Sequence, residues 1–206
     1  MSAEAITGYE LEGPDLAERF NALSSDEILA PVVDLVPDRP CSVLDIGAGA
    51  GRDAAWFAGR GHQVVAVEPA RNLREGGLRL VASDRIEWMD DRLPALTHVL
   101  ALGRRFDLVT LIAVWQHLEA PERGRAAHSI AQLVAPGGLV MLSVRHGPGV
   151  EMRPCYPSTA EEVIGLFEGE GLTTVRRRTM PSVQPTNRAR GVMWSWLAFA
   201  AASSTG

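Results

Sequence analysis

Two carboxylates in this 206-residue chain stand where their spacing gives them chemistry. Asp45 lies in Val43-Leu44-Asp45-Ile46-Gly47-Ala48-Gly49-Ala50-Gly51-Arg52, two residues before the first of three glycines that alternate with alanine. Gly47, Gly49 and Gly51 carry no Cβ, so the backbone can turn sharply there and lie against a ligand. A dinucleotide fingerprint would read G-x-G-x-x-G, with a pyrophosphate on the following helix N-terminus. Here the spacing is G-x-G-x-G. A carboxylate ahead of it disfavours a pyrophosphate and favours a cationic group such as the ammonium of an amino acid. No G-x-x-x-x-G-K-[ST] is present, which excludes a P-loop. Glu68 ends the run QVVAVE, 17 residues past Gly51. Its two oxygens can accept from a ribose 2′,3′-diol; the bland alternative is that it caps a strand end. Adenosine joined to an amino acid satisfies both acids.

Positioning these groups requires strands that stop beside one another. From residue 41 onward, β-rich apolar runs alternate with helical patterns. Strands are expected at 41–46, 63–68, 85–89, 106–112 and 139–144, and then at 172–179 and 192–200. Helices are expected at 52–60, 70–81, 93–103, 121–134 and 158–170. Pro121 suits a first helical turn, and Ser158 with Glu161 reads as a capping box. Runs rich in Val, Leu and Ile without clean alternation mean a parallel sheet buried on both faces. Strand–helix repetition makes it a doubly wound α/β sheet. The final two strands, with no helix expected between them, should pair antiparallel at one edge. Residues 14–36 carry helical apolar spacing. The expectation is one domain over 1–206: an N-terminal helical cover (1–37) and a Rossmann-like core (38–206).

With these residues in order, the chain resembles the class I S-adenosylmethionine-dependent methyltransferases from about residue 38 to 179. VLDIGAGAGR matches the family's first motif and VVAVEPA its second. The resemblance implies a seven-stranded sheet of order 3-2-1-4-5-7-6 with strand 7 antiparallel. It implies S-adenosylmethionine as cofactor and S-adenosylhomocysteine as product. The cofactor would lie against Asp45, Gly47, Ala48, Gly49, Gly51, Arg52, Glu68 and Pro69. In the segment Ile86–Pro94 an Asp before Leu-Pro would meet the adenine amino group. Asp90 fits by spacing, with Asp91 the alternative. Phe106-Asp107-Leu108-Val109 and Leu133–Gly138 are similar to the motifs at the fourth and fifth strands. GxGxGR with Gly61-His62-Gln63-Val64 after it is similar to small tellurite- and thiopurine-type members.

Methyl transfer from a sulfonium is a direct displacement that needs alignment and, for some acceptors, a base. Residues just past the fourth strand, Ala113 and Val114 among them, should lie near the sulfonium. His117 is a base candidate because imidazole titrates near neutrality, or it hydrogen-bonds the adjoining loop. Trp115 packs against adenine or the core, or lines the substrate pocket. Arg145 could bind an acceptor's carboxylate or phosphate, His146 could be a second base, and Tyr156 could wall the pocket; Arg145 and His146 could equally fix the glycine-rich loop after them.

No Asn-Pro-Pro-Tyr follows the fourth strand, which disfavours adenine-N6 or glutamine-amide methylation. Cys155 follows the fifth strand, a poor match to a cytosine-C5 nucleophile. Two cysteines make no disulfide framework or zinc site, and no metal is expected. Cys41, at the start of a strand, reads as a buried small side chain.

The chain is 46% hydrophobic and 22% charged, with net charge −5, unlike a general nucleic-acid binder. Residues 171–206 nevertheless hold no Asp or Glu, while Arg176, Arg177, Arg178, Arg188 and Arg190 fall there. They read as a solvated sheet edge, with an anion-binding patch as the alternative. No signal-peptide pattern or membrane-length apolar run is seen, so a soluble cytoplasmic protein is expected. The leading expectation is methylation of a small-molecule O, N or S nucleophile. RNA or protein methylation through the 176–190 region, and a non-catalytic S-adenosylmethionine-binding module, are the rivals. A nicotinamide oxidoreductase fails on the glycine spacing and on Asp45.

Overall fold

The computed structural model describes residues 1–12, 15–150 and 152–203; Pro14, where the expected helical spacing begins, lies outside the described residues. The strands β1 (Ser42–Ile46), β2 (Gln63–Val67), β3 (Ile86–Met89), β4 (Phe106–Leu111), β5 (Val134–His146), β6 (Thr173–Pro181) and β7 (Met193–Ala200) form one sheet. Its order is β3-β2-β1-β4-β5-β7-β6. Strands β1 to β5 run parallel, and β7 is antiparallel to β5 and β6. This is the doubly wound sheet expected from the strand–helix alternation. Asp45 sits in the middle of it, opposite Ala66 on β2 and Thr110 on β4.

The N-terminal cover comprises α1 (Ala3–Leu11), α2 (Asp15–Asn21), α3 (Ser25–Leu29) and a 3-10 turn at Val33–Leu35. The helix α1 was not singled out by the helical spacing at 14–36; its apolar periodicity is weak, and the Ser2 hydroxyl, accepting from the Ala5 amide, caps it. Then follow α4 (Arg52–Gly59), α5 (Arg71–Leu80), α6 (Thr97–Ala101), α7 (Ala120–Leu133), α8 (Ala160–Gly169) and α9 (Pro185–Ala189).

Three local expectations are corrected. The helix expected over 93–103 is confined to Thr97–Ala101. Pro94 has no N–H to give, and the Asp91 carboxylate accepts from the amides of His98 and Val99 at 2.7 and 3.0 Å, fixing the helix start there. The cap of α8 is Thr159, not Ser158: its hydroxyl accepts from the Glu162 amide at 3.1 Å. The one-residue shift points Val163 and Phe167 into the core and leaves the Glu162 carboxylate to pair with Arg123. Finally, a short helix, α9, separates β6 from β7, although the two strands still pair antiparallel.

The sheet buries both faces. On one, α7 and α8 cover Leu44, Ile46, Leu142, Val144 and Leu197, with Phe167 stacked on Phe199 at 4.7 Å between centroids. On the other, α3 and α4 cover Val43, Leu108, Met141 and Trp196 through Ile28, Leu29, Ala54 and Phe57. Alternation along each strand decides which face a side chain meets. Strand β6 is an edge, as expected for the arginine-rich segment; there Arg176 pairs with Asp34 and Arg177 with Glu161.

Candidate active site

A cleft of about 740 Å³ opens at the carboxyl ends of β1, β2 and β4. Asp45, the turn Gly47–Ala50, Glu68, Ala113, Val114 and His117 line it. The turn needs its glycines. Gly47 has φ +72°, and a Cβ there would come within 2.4 Å of Val114 Cγ2. A Cβ on Gly51, at φ +83°, would meet the Trp88 ring at 2.8 Å. Both the conformation and the close approach therefore exclude a side chain.

Asp45 is 3% exposed. Its Oδ1 accepts from the Thr110 hydroxyl at 2.8 Å, and its Oδ2 is buried without a partner. Burial, and then the nearby Asp53 charge, push its carboxyl up to about 7. An orphaned carboxylate oxygen beside a ligand cleft suits a cationic donor, because an unpaired buried acceptor is costly. Glu68, also 3% exposed, is pushed up to about 7, chiefly by burial. Its two oxygens accept at 2.8 Å from the amides of Gly49 and Ala70, tying the end of β2 to the glycine turn. Each oxygen keeps acceptor capacity for a further donor. Arg52 borders the cleft and holds the Asp53 carboxylate, which also accepts from Ser25 at 2.7 Å.

The third-strand residues stand apart. Asp90 and Pro69 line a separate, open depression with Ile6 and Met89. Asp90 is exposed and ion-paired to Arg74 at 2.9 Å. Asp91 borders the same depression, but its oxygens take the backbone amides of Arg92, His98 and Val99. That carboxylate is committed to the chain, so it is Asp90 that keeps an open face.

His117 lies in the cleft with both ring nitrogens engaged. Nδ1 is 2.8 Å from the Pro154 carbonyl, which can only accept, so Nδ1 carries the proton and Nε2 accepts from the Tyr9 hydroxyl at 3.0 Å. Burial lowers its pKa to about 4, against a smaller opposing effect of the Pro154 carbonyl. The ring is thus neutral and its lone pair occupied; it joins α1 to the loop after β4.

Four expected acceptor-side residues are not brought to the cleft. Trp115 is fully buried in the core against Phe167 at 5.7 Å, away from any substrate. His146 falls one residue out of phase along β5: it shares the face of Leu142 and Val144 and binds the Ser195 hydroxyl at 2.8 Å. Tyr156 turns toward the start of α7, with its hydroxyl 3.4 Å from Glu119. Arg145 is on the opposite side of β5 from His146. Its guanidinium lies 5.4 Å over Trp194 and donates to Pro148 and Asn187, so it holds the loops beyond the strand.

A second cavity, of about 810 Å³, adjoins the first and was missed by the sequence reading. It lies between α3 and the ends of β5, β7 and β6, and shares Arg52, Ile112, Ala113 and Gln184 with the first cleft. Trp194 and Trp196 form its floor, and the signal for it was their i, i+2 spacing, which puts both on one face of a strand. Tyr9 was the other omission; nothing in the local pattern tied it to His117.

A sequence model described as a methyltransferase domain matches residues 17–180. The chain therefore belongs to the methyltransferase domain family. Among curated proteins, it is 34% identical over 104 residues to a ubiquinone biosynthesis O-methyltransferase of Leptothrix cholodnii, covering 49% of this chain and 43% of that one. The chain spans from 30% to 56% of the length of the curated relatives it matches. The fold is similar to that of a Burkholderia thailandensis 1,6-didemethyltoxoflavin-N1-methyltransferase solved with 1,6-didemethyltoxoflavin and S-adenosylhomocysteine. That likeness has TM-score 0.68 and 23% identity, covering 98% of this chain and 85% of that one. A TehB-like S-adenosylmethionine-dependent methyltransferase of Corynebacterium glutamicum shares the fold at TM-score 0.61 and 16% identity, covering 91% and 98%. Among the described residues no helix is long and apolar enough to cross a membrane, and no cluster of metal-ligating side chains is found.

Proposed function

We propose that this chain is an S-adenosylmethionine-dependent methyltransferase acting on a small-molecule O, N or S nucleophile. The observation that carries the reading is the pair of buried carboxylates, Asp45 and Glu68, at the ends of adjacent strands beside a glycine turn. Asp45, through its orphaned Oδ2, would hold the ammonium of the cofactor's amino-acid end. Glu68 would accept from the ribose diol, and the backbone of Gly47, Ala48 and Gly49 would lie against the ligand; Gly51 does not line the cleft and instead lets the turn pack against Trp88. Pro69, next in sequence to Glu68, and Asp90 line the separate depression, so they would border the adenine where the ligand extends past the ribose out of the cleft. When bound, S-adenosylmethionine supplies a methyl on a sulfonium, which an aligned nucleophile displaces with release of S-adenosylhomocysteine.

In this reading the chain contributes alignment, exclusion of water and charge complementarity. Ala113 and Val114 border the reacting end, and Ala113 is held at φ +61° with its amide donating to Ser143 Oγ at 2.9 Å. His117, neutral and hydrogen-bonded on both nitrogens, is assigned to holding α1 over the cleft rather than to taking a proton. The small-molecule acceptor is supported by the adjoining cavity and by the pairing of Arg176 and Arg177 within the chain.

The test is a screen with methyl-labelled cofactor over small metabolites, tRNA and protein extracts. Label in the small-molecule fraction is expected. Label confined to tRNA or protein would replace this reading with its macromolecular rival, and cofactor binding without transfer to any class would favour a binding module.

A further inference from the structure

The second cavity is built by one row of cross-strand neighbours. Ser143 on β5 stands opposite Trp196 on β7, which stands opposite Arg178 on β6. One step along, Arg145 stands opposite Trp194, which stands opposite Met180. Directly opposed residues share a face, so the two indoles lie side by side, with Met180 and Arg178 beyond them toward the sheet edge. Ile28 and Pro31, on and just after α3, close the other side. Apolar walls rich in tryptophan favour a flat ring system.

Charge gives the next constraint. Of the three consecutive arginines on β6, Arg176 and Arg177 are paired with carboxylates, whereas Arg178, which lines the cavity, has no hydrogen-bond or ion-pair partner among the described residues. Ser143 is 1% exposed; it accepts from the Ala113 amide, and its own proton has no acceptor among the described residues. Arg52, at the wall between the two cavities, is already committed to Asp53. Among the described residues the one carboxylate in the lining, Glu27, is exposed on α3, and no His, Tyr, Cys or Lys lines the cavity.

We propose that this cavity is the methyl-acceptor site, and that its acceptor is a planar aromatic small molecule carrying an anionic substituent. The ring lies on Trp194 and Trp196, the anionic group meets Arg178, and the nucleophile reaches the shared wall at Ala113 and Gln184. Because the lining supplies no buried base, the nucleophile arrives with a free electron pair, as a ring nitrogen or a thiolate does. That pair forms the new bond to the methyl carbon, and the pair of the breaking carbon–sulfur bond goes to sulfur. The assignment of the cavity as an acceptor site rests on the methyltransferase reading above.

The experiment is calorimetric titration of 2-naphthoate and of the cation 2-naphthylmethylammonium into the full chain, with and without saturating S-adenosylhomocysteine. Naphthoate is expected to bind beside S-adenosylhomocysteine at least about tenfold more tightly than the cation, the scale of one charge-assisted contact. Arg178→Glu, an exposed change, should remove that preference, and Trp194→Ala should weaken both probes. Unchanged affinity for S-adenosylhomocysteine shows that each variant is folded. Overturning results are no naphthoate binding, binding indifferent to Arg178→Glu, or displacement of naphthoate by S-adenosylhomocysteine. Arg178-dependent naphthoate binding in a chain that does not bind S-adenosylhomocysteine would leave the ligand class standing and remove the methyltransferase reading.

Discussion

Asp45 and Glu68 hold their protons more tightly in the folded chain, at about 7, than in an unfolded chain, where such groups titrate near 4. Each therefore contributes stability that is full below about pH 4 and is lost as pH rises through about 7. A ligand ammonium against Asp45 reverses the preference, because an adjacent cation favours the ionised form. Ionisation of Asp45 on binding S-adenosylhomocysteine at pH 7 should thus release up to about half a proton. Calorimetry in two buffers of different ionisation enthalpy reads this directly. Asp45→Asn should diminish the release, and a binding enthalpy independent of buffer would refute the assigned contact. His117 has the opposite sign. Its folded pKa of about 4 lies below the ordinary imidazole value, so its contribution is present above about pH 6.5 and lost as pH falls through 4. His117→Asn should flatten the acid side of the stability curve between pH 6.5 and 4; an unchanged acid limb would show that the ring is not held neutral. The meeting of these acids and the glycine turn at one cleft was legible in the sequence, because a tight turn between a strand and its helix restricts residue type locally. His146 was not, because its role hung on strand parity. Ser143 and Arg145 share one face of β5 and Val144 and His146 the other, and a count of alternation from Ser143 would have separated them.

At the scale of elements, α1 is the piece the helical pattern passed over. It is fastened to the cleft by the Tyr9 hydroxyl on His117, by the Asn72 amide donating to the Tyr9 carbonyl at 2.9 Å, and by the Ser2 amide donating to the His117 carbonyl at 3.0 Å. Tyr9→Phe removes one part-buried hydrogen bond, worth about 1 kcal/mol. Amide exchange over Ala3–Leu11 should then quicken about fivefold while the amides of β1 and β4 keep their protection. Equal quickening throughout would mean that the bond supports the whole fold rather than α1. The cap of α8 offers a second comparison. Thr159→Ala should cost about 1 kcal/mol in a denaturant titration, whereas Ser158→Ala, whose hydroxyl has no partner, should cost less. The reverse order would restore the cap read from the sequence. Such one-residue choices are settled by tertiary partners, here Arg123 drawing Glu162 and the core drawing Val163, which no local pattern contains.

Across the whole molecule, the residues themselves indicated parallel β–α–β units and a final antiparallel pair at one edge, while the order of the strands was legible only through the family resemblance. The cofactor-side cleft follows from that order, since it opens where β1 and β4 diverge to opposite halves of the sheet. The second cavity did not follow. It depends on three strands distant in sequence presenting Ser143, Trp194, Trp196 and Arg178 to one cavity. The three consecutive arginines of β6 likewise divide only in three dimensions, into two residues paired with carboxylates and one cation at a cavity. The central claim is that the cleft at Asp45 and Glu68 holds S-adenosylmethionine, and equilibrium titration with S-adenosylhomocysteine tests it most directly. The wild-type chain is expected to bind, and Glu68→Gln, which keeps the shape of the side chain, to bind about tenfold to a hundredfold more weakly for loss of the charge-assisted contacts to the ribose. No binding by the wild-type chain, or equal affinity in the variant, would contradict it.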